Sequence, residues 1–312
     1  MISNVFIGKP LHWIVLALLM IPGYFAGNAV FHTTNFVPWV SILFGLTFLL
    51  IILFWLTSNK EDTLTRDPII DEPAMGNTLC ADERVRKITF TGSTEVGRIL
   101  MRQSAETVKK VSLELGGNAP LIVFDDADLE EAVEGAIASK YRNAGQTCVC
   151  ANRIFVQAGI YDEFARALSE KVAAMKVGDG FEDGVSQGPI IDQQGFDKIE
   201  RHVADALAKG AAVSVGAAPH EKGGTFYQPT VLTGATKDMQ LFSEETFGPV
   251  AALFKFKTEE EVIEAANDTI FGLAAYYFTK DVGRIFRVGE ALEYAISDEN
   301  GDSEWQDWVV DE

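Results

Sequence analysis

An α/β fold with a largely parallel sheet, preceded by a transmembrane helical hairpin, is what this chain predicts, on three observations. Short β-branched and aromatic runs alternate with helical patterns from Lys87 to Phe278, the order expected of parallel strands joined by helical crossovers. Glycine-containing turns punctuate that alternation. Two uncharged apolar stretches stand ahead of it, within residues 12–57.

The first stretch, Trp13 to Val30, is interrupted by Pro22-Gly23, which a membrane helix tolerates when neighbours satisfy the freed carbonyls. The second, Val37 to Leu56, reaches the roughly 20 apolar residues that span a bilayer. Trp13, Trp39 and Trp55 lie near the ends, where amphipathic rings favour the interface. Helices over about 12–30 and 37–57 follow, so a lipid bilayer is the expected partner of residues 12–57. Lys9, Lys60 and Arg66 lie outside the pair, while the connecting residues 31–36 carry no charge. The positive-inside rule then places both ends in the cytoplasm, with the body facing it from an inner or plasma membrane. A buried soluble hairpin and a cleaved leader with small residues at Gly27 and Ala29 are the competing readings. Residues 58–75, polar with charges and prolines, read as a linker.

The body begins with Lys87–Phe90 as a strand and Glu95–Glu106 as a helix. Leu121–Phe124 is a continuous apolar strand, and a helix follows to about Asn143. Arg153–Val156 is the next strand, Ile160–Lys176 an amphipathic helix, Phe196–Lys209 another, and Ala212–Val215 strand-like. Val250–Phe256 predicts a strand, Thr258–Asn267 a helix and Ala274–Phe278 a final strand.

Charge narrows the function. The segment 75–296 holds 23 basic against 33 acidic residues, and residues 297–312 hold seven acidic and no basic ones. No basic face exists for nucleic acid, and 297–312 reads as a disordered acidic tail. Three cysteines, two of them one residue apart, form no disulfide framework and suit a reducing compartment. His12 and His32 are too few for a metal centre, and none is predicted.

Four short motifs carry chemistry. Phe90-Thr91-Gly92-Ser93-Thr94-Glu95-Val96-Gly97 is a strand-to-helix turn of the kind that aims free N–H groups at an anion, although capped glycine turns are commonly structural. In Glu114-Leu115-Gly116-Gly117, a carboxylate precedes two residues at which the backbone can approach a ligand closely. Arg142-Asn143-Ala144-Gly145-Gln146-Thr147-Cys148-Val149-Cys150 sets a small-residue turn before a cysteine; Cys148 is either a reactive thiol or a packed small hydrophobe, and Cys150 reads as packing. Glu244-Glu245-Thr246-Phe247-Gly248-Pro249 offers a carboxylate and a ring, suited to a ribose and a flat base or to an ordinary charged turn.

Taken together, in this order and spacing, these motifs resemble the aldehyde dehydrogenase superfamily over about Gly76 to Ile296, with Gln146–Arg153 and Arg142 similar to its succinate-semialdehyde dehydrogenase branch. The resemblance implies a catalytic domain at 117–296 and an incomplete Rossmann-like NAD(P)-binding domain at 76–116. It implies NAD or NADP as cofactor and a small-molecule aldehyde, succinate semialdehyde first, as substrate. Cys148 would attack the aldehyde to give a thiohemiacetal, hydride transfer would leave a thioester, and Glu114 would activate water to hydrolyse it. Gly92 and Ser93 would hold the pyrophosphate, Glu245 and Phe247 would place the nicotinamide ribose and ring, and Gly97 and Leu115 would also belong to the cofactor site. Arg142 would pair with the far carboxylate of a semialdehyde.

Family members also carry an oxyanion-hole Asn and an adenosine-side Lys ahead of the position of Gly76, and an oligomerisation strand beyond that of Ile296. Residues 1–74 and 297–312 offer no counterpart, so a homo-oligomer is not expected. A second reading is therefore a truncated or chimeric membrane-anchored product without catalytic activity.

Overall fold

The computed structural model describes residues 72–299. Residues 76–299 belong to one compact unit. The predicted hairpin, the linker up to residue 71 and the tail from residue 300 lie outside the described residues. Among the described residues no helix is long and apolar enough to cross a membrane.

The first elements are α1 (Glu72–Ala81), β1 (Lys87–Thr91), α2 (Thr94–Ala105) and β2 (Lys110–Glu114). β1 and β2 pair in parallel around α2, a single βαβ unit. Ser93 starts α2 by accepting from Val96 N (3.3 Å), so one of the first N–H groups finds a partner before the helix ladder does. Both strands alternate between exposed and half-buried positions.

The larger sheet begins with β3 (Ala119–Val123). After it come α3 (Leu129–Tyr141), the turn Arg142–Gly145, β4 (Ala151–Gln157), α4 (Tyr161–Ala173), and the short parallel pair β5 (Lys176–Val177) and β6 (Val185–Gln187). Then follow α5 (Gln193–Ala208), β7 (Ala212–Val215), β8 (Thr230–Ala235), α6 (Gln240–Ser243), β9 (Val250–Phe256), α7 (Glu259–Asn267), β10 (Ala274–Phe278), α8 (Val282–Ala291) and β11 (Ile296–Glu299). Seven strands make one sheet in the order β11-β10-β3-β4-β9-β8-β7. Every pairing in it is parallel except that of the edge strand β7 with β8.

Alternation along the central strands divides two apolar layers. Leu121, Val123, Ile154, Val156, Ala251 and Leu253 face α3 and α4, and pack with Val133, Phe164 and Leu168. Ile122, Phe155, Ala252 and Phe254 face the other side, where Ile199, Val203, Leu241, Phe242 and Val262 cover them. A parallel sheet needs both faces covered, and the near-continuous apolar sequences of β3, β4 and β9 follow from that.

The largely parallel α/β sheet is as expected, and the helices and strands foreseen fall within a few residues of their places. Four differences have local causes. Residues 72–75, read as linker, are the first turn of α1. The helix foreseen to about Asn143 stops at Tyr141, because Asn143 (φ 51°) and Ala144 (φ 53°) turn left-handed. Residues 297–299, read as the start of the tail, extend β11 along β10. α1, β2, β5, β6, β8, α6, α8 and β11 are elements that the sequence pattern did not mark.

Candidate active site

Three loops meet at the amino ends of three adjacent parallel strands. Gly116-Gly117-Asn118 leads into β3, Gln146–Cys150 into β4, and Glu244–Pro249 into β9. Register makes the convergence specific: Arg153 pairs with Ala252, so Cys148 and Phe247 each stand five residues upstream of a matched position. Glu114, by contrast, closes the carboxyl end of β2, and Gly92 follows the carboxyl end of β1, its N–H donating to the Glu114 carbonyl (2.9 Å).

The turn before Cys148 is strained in a defined way. Asn143, Ala144 and Gly145 (φ 73°) are consecutive left-handed residues, a conformation that costs non-glycine residues roughly 1–3 kcal/mol each unless the surroundings enforce it. Contact enforces it here: a Cβ on Gly145 would run into the Gly248 carbonyl, so the second and third loops touch backbone to backbone. Gln146 ties the turn down by donating from Nε2 to Pro189 O (3.2 Å) and accepting at Oε1 from Ile191 N (2.9 Å).

Cys148 is half-buried, with its carbonyl packed so closely on Gly117 that a Cβ there would collide with it. Burial pushes the Cys148 thiol up, and the charges of Glu245 and Glu114 add to the effect. The resting group is therefore the thiol, and forming the thiolate requires a proton acceptor; two carboxylates near enough to shift it are both candidates. Glu114 is exposed at the end of its strand. Glu245 is half-buried, and burial raises its own pKa, offset by the Gly117 N–H and by the charges of Lys198 and Lys140. Its Oε1 accepts from Gly117 N at 2.9 Å. Cys150 is buried as predicted for a packing residue, sharing a hydrogen bond with Thr147 Oγ1 (2.7 Å).

The remaining predicted residues fall on two sides. Gly97, inside α2, lies under Leu115, whose methyls would be 2.6 and 2.9 Å from any added Cβ; this contact clamps α2 onto the segment that carries Glu114. Phe247 has φ 54° at the bend that brings Glu245 inward. Arg142 caps the carboxyl end of α3, exposed and without an ion pair among the described residues.

These groups fit a dinucleotide. The first N–H groups of the twelve-residue helix α2 have no intrahelical acceptor and lie at its positive end, beside Ser93, where an anionic phosphate is favoured. Glu245 retains Oε2 for a ribose hydroxyl, and glycine at 116 leaves that oxygen room, since a Cβ there would sit 2.9 Å from it.

Two buried polar residues of the site escape a motif reading. Lys140 Nζ donates to Asn152 Oδ1 (3.1 Å), and Asn152 Nδ2 donates to Gly117 O (3.4 Å), so a fully buried amine braces the residue whose N–H holds Glu245. A signal existed: Val133, Ala136 and Lys140 share the buried stripe of α3, where a lysine is out of place.

The profile of the aldehyde dehydrogenase family matches residues 69–306. The succinate-semialdehyde dehydrogenase [NADP(+)] GabD of Escherichia coli strain K12 is 60% identical over 223 residues, 72% of this chain and 46% of that protein. The 3-sulfolactaldehyde dehydrogenase of Pseudomonas putida is 57% identical over 222 residues, covering 71% and 46%. The crystal structure of succinate-semialdehyde dehydrogenase from Burkholderia pseudomallei superposes with a TM-score of 0.73 at 58% identity, over 74% of this chain and 48% of that one. The chain thus spans about half the length of the relatives it matches.

Proposed function

The chain belongs to the aldehyde dehydrogenase family, and from that premise we propose that it oxidises an aldehyde bearing a distal acidic group, succinate semialdehyde first, to the carboxylic acid. The observation that carries this reading is the meeting of a half-buried thiol, Cys148, with two carboxylates whose charges act on it, Glu114 and Glu245. The sulfur, once deprotonated, adds to the aldehyde carbon. NAD or NADP, when bound, supplies the hydride acceptor. Ser93 and the start of α2 would hold its phosphates, with Gly92 and the Gly97–Leu115 contact fixing that turn, and Glu245 and Phe247 would hold the nicotinamide side. Glu114, exposed at its strand end, would draw a proton from water attacking the acyl group on Cys148.

Exposure of the Arg142 guanidinium near the Cys148 turn supports a role in pairing with the far carboxylate, a charge-assisted contact. Two relatives named for acidic aldehydes, a succinate semialdehyde and a sulfolactaldehyde, favour such a substrate. We propose further that residues 12–57, outside the described residues, tether the enzyme to a membrane with its body on the cytoplasmic side; the two uncharged runs and the basic residues flanking them support this.

The direct test is NAD(P)H formation by the purified full-length chain in detergent with succinate semialdehyde. Activity is expected with the parent chain, with a loss of at least about a thousandfold in Cys148→Ala. A parent chain that forms no reduced cofactor at millimolar aldehyde would overturn the proposal.

A further inference from the structure

Ahead of the left-handed Phe247, residues Glu244 to Thr246 present alternate side chains to opposite sides, as extended backbone does. Glu245 turns to the Gly117 N–H and the thiol. Glu244, Thr246 and Gly248 turn the other way, onto α5. There His202, with none of its surface exposed, stands between the first two. Its Nε2 lies 3.1 Å from Glu244 Oε2 and its Nδ1 lies 3.2 Å from Thr246 Oγ1. A carboxylate only accepts, so Nε2 carries the hydrogen and donates; burial holds the ring pKa down, so Nδ1 is free to accept from the Thr246 hydroxyl. Glu244 favours protonation of the ring, Lys198 and Arg201 oppose it, and the Asp205 carboxylate on the same helix also interacts with it. One turn earlier on α5, Ile199 packs so tightly on Gly248 that a Cβ there would collide with it.

We infer that His202 is a positioning residue: bonded to the loop on both sides of Glu245, it fixes the direction in which Glu245 and Phe247 face the thiol and the cofactor. Neither bonded neighbour reaches the chemistry itself. Without the ring, Glu244 and Thr246 lose the partners that hold their side of the loop against α5. The left-handed Phe247 (φ 54°) then loses the constraint that keeps it in that conformation. The cofactor readout below rests on the function proposed above; the exchange readout does not.

The experiment compares His202→Leu, which removes both hydrogen bonds, with His202→Gln, whose amide can still donate towards Glu244, and Thr246→Val, which removes one bond from the loop side. All are made in the full-length chain. Hydrogen exchange of the cofactor-free chain is expected to quicken about tenfold or more over residues 243–249 in His202→Leu, with α5 protection retained. The apparent KM for NADPH should rise by a similar factor, with kcat at saturating cofactor within about threefold of the parent. His202→Gln should recover part of both changes, and Thr246→Val should fall between. Unchanged exchange over 243–249 in His202→Leu and Thr246→Val overturns the inference. So does an equal loss of protection across α5 and the loop that His202→Gln does not relieve, since that marks a residue of general stability. If the parent chain forms no reduced cofactor, the exchange result still decides the question, and only the proposed function falls.

Discussion

Lys140 is the residue whose environment disagrees most with its chemistry. Its side chain is fully buried, its amine donates to Asn152 Oδ1, and burial lowers its pKa to about 8 against the partial help of Cys150 and Glu245. In the unfolded chain the same amine binds its proton up to about pH 10.4. Between these values the unfolded state holds more protons, so stability rises with pH through this window; the penalty of burying the charge is fully present below about pH 8 and relieved above it. The stability difference between the parent chain and Lys140→Met should therefore shift in favour of the parent by about 3 kcal/mol from pH 8 to pH 10.5. Urea unfolding at several pH values measures it, and parallel profiles for the two chains would refute the assignment. Cys148 and Glu114 were legible in the sequence because each adjoins small residues that mark a turn. Lys140, Asn152 and His202 were not, because each is a polar residue on a buried face whose partners come from other elements or distant parts of the chain. Only folding shows whether such a side chain is solvated or paired.

The elements explain why those residues meet. Cys148 and Glu245 act on each other because the loops before β3, β4 and β9 start from neighbouring strands, and Gly117 lets the first two loops close on one another. An alanine at Gly117 would put its methyl into the Cys148 carbonyl, where backbone meets backbone and no side chain can rotate away. Overpacking of this kind costs about 1–3 kcal/mol, and here it also tilts the N–H that holds Glu245 Oε1. Gly117→Ala is expected to lower thermal stability and change the rate at which iodoacetamide alkylates Cys148, whereas Gly180→Ala, with open space around it, should change neither. Equal behaviour of the two variants would show that the close approach does not hold the site. Strands β3, β4 and β9 were readable because full burial makes them continuous apolar runs. β2 (Lys-Val-Ser-Leu-Glu) is short and half exposed, and α8 contains two glycines that count against a helix. The Asp281 cap, which accepts from Arg284 N (3.2 Å), was the signal that marked where α8 begins.

At the scale of the whole chain, the proposed site draws on two sheets of unequal support. Every residue of β3 is buried, as are six of the seven in β4 and in β9, with helices on both faces. β1 and β2, which bring Gly92, Ser93 and Glu114, pair only with each other among the described residues and have no fully buried position. On α2, Val96, Ile99 and Met101 are each more than 40% exposed, so that helix covers its small sheet with little apolar area to spare. Burial contributes roughly 25 cal/mol per Å2 of apolar surface, so the small sheet gains far less per residue than the large one and should open at a lower free energy. Amides of β1 and β2 are expected to exchange at least about a hundredfold faster than those of β4 and β9 under native conditions. Saturating NADPH should narrow the gap, because a ligand held by the start of α2 and by Glu245 stabilises only the closed form. Uniform protection across both sheets would mean that β1 and β2 are supported as firmly as the core. A gap that cofactor leaves untouched would separate α2 from cofactor binding, and would count against the role proposed for Gly92 and Ser93.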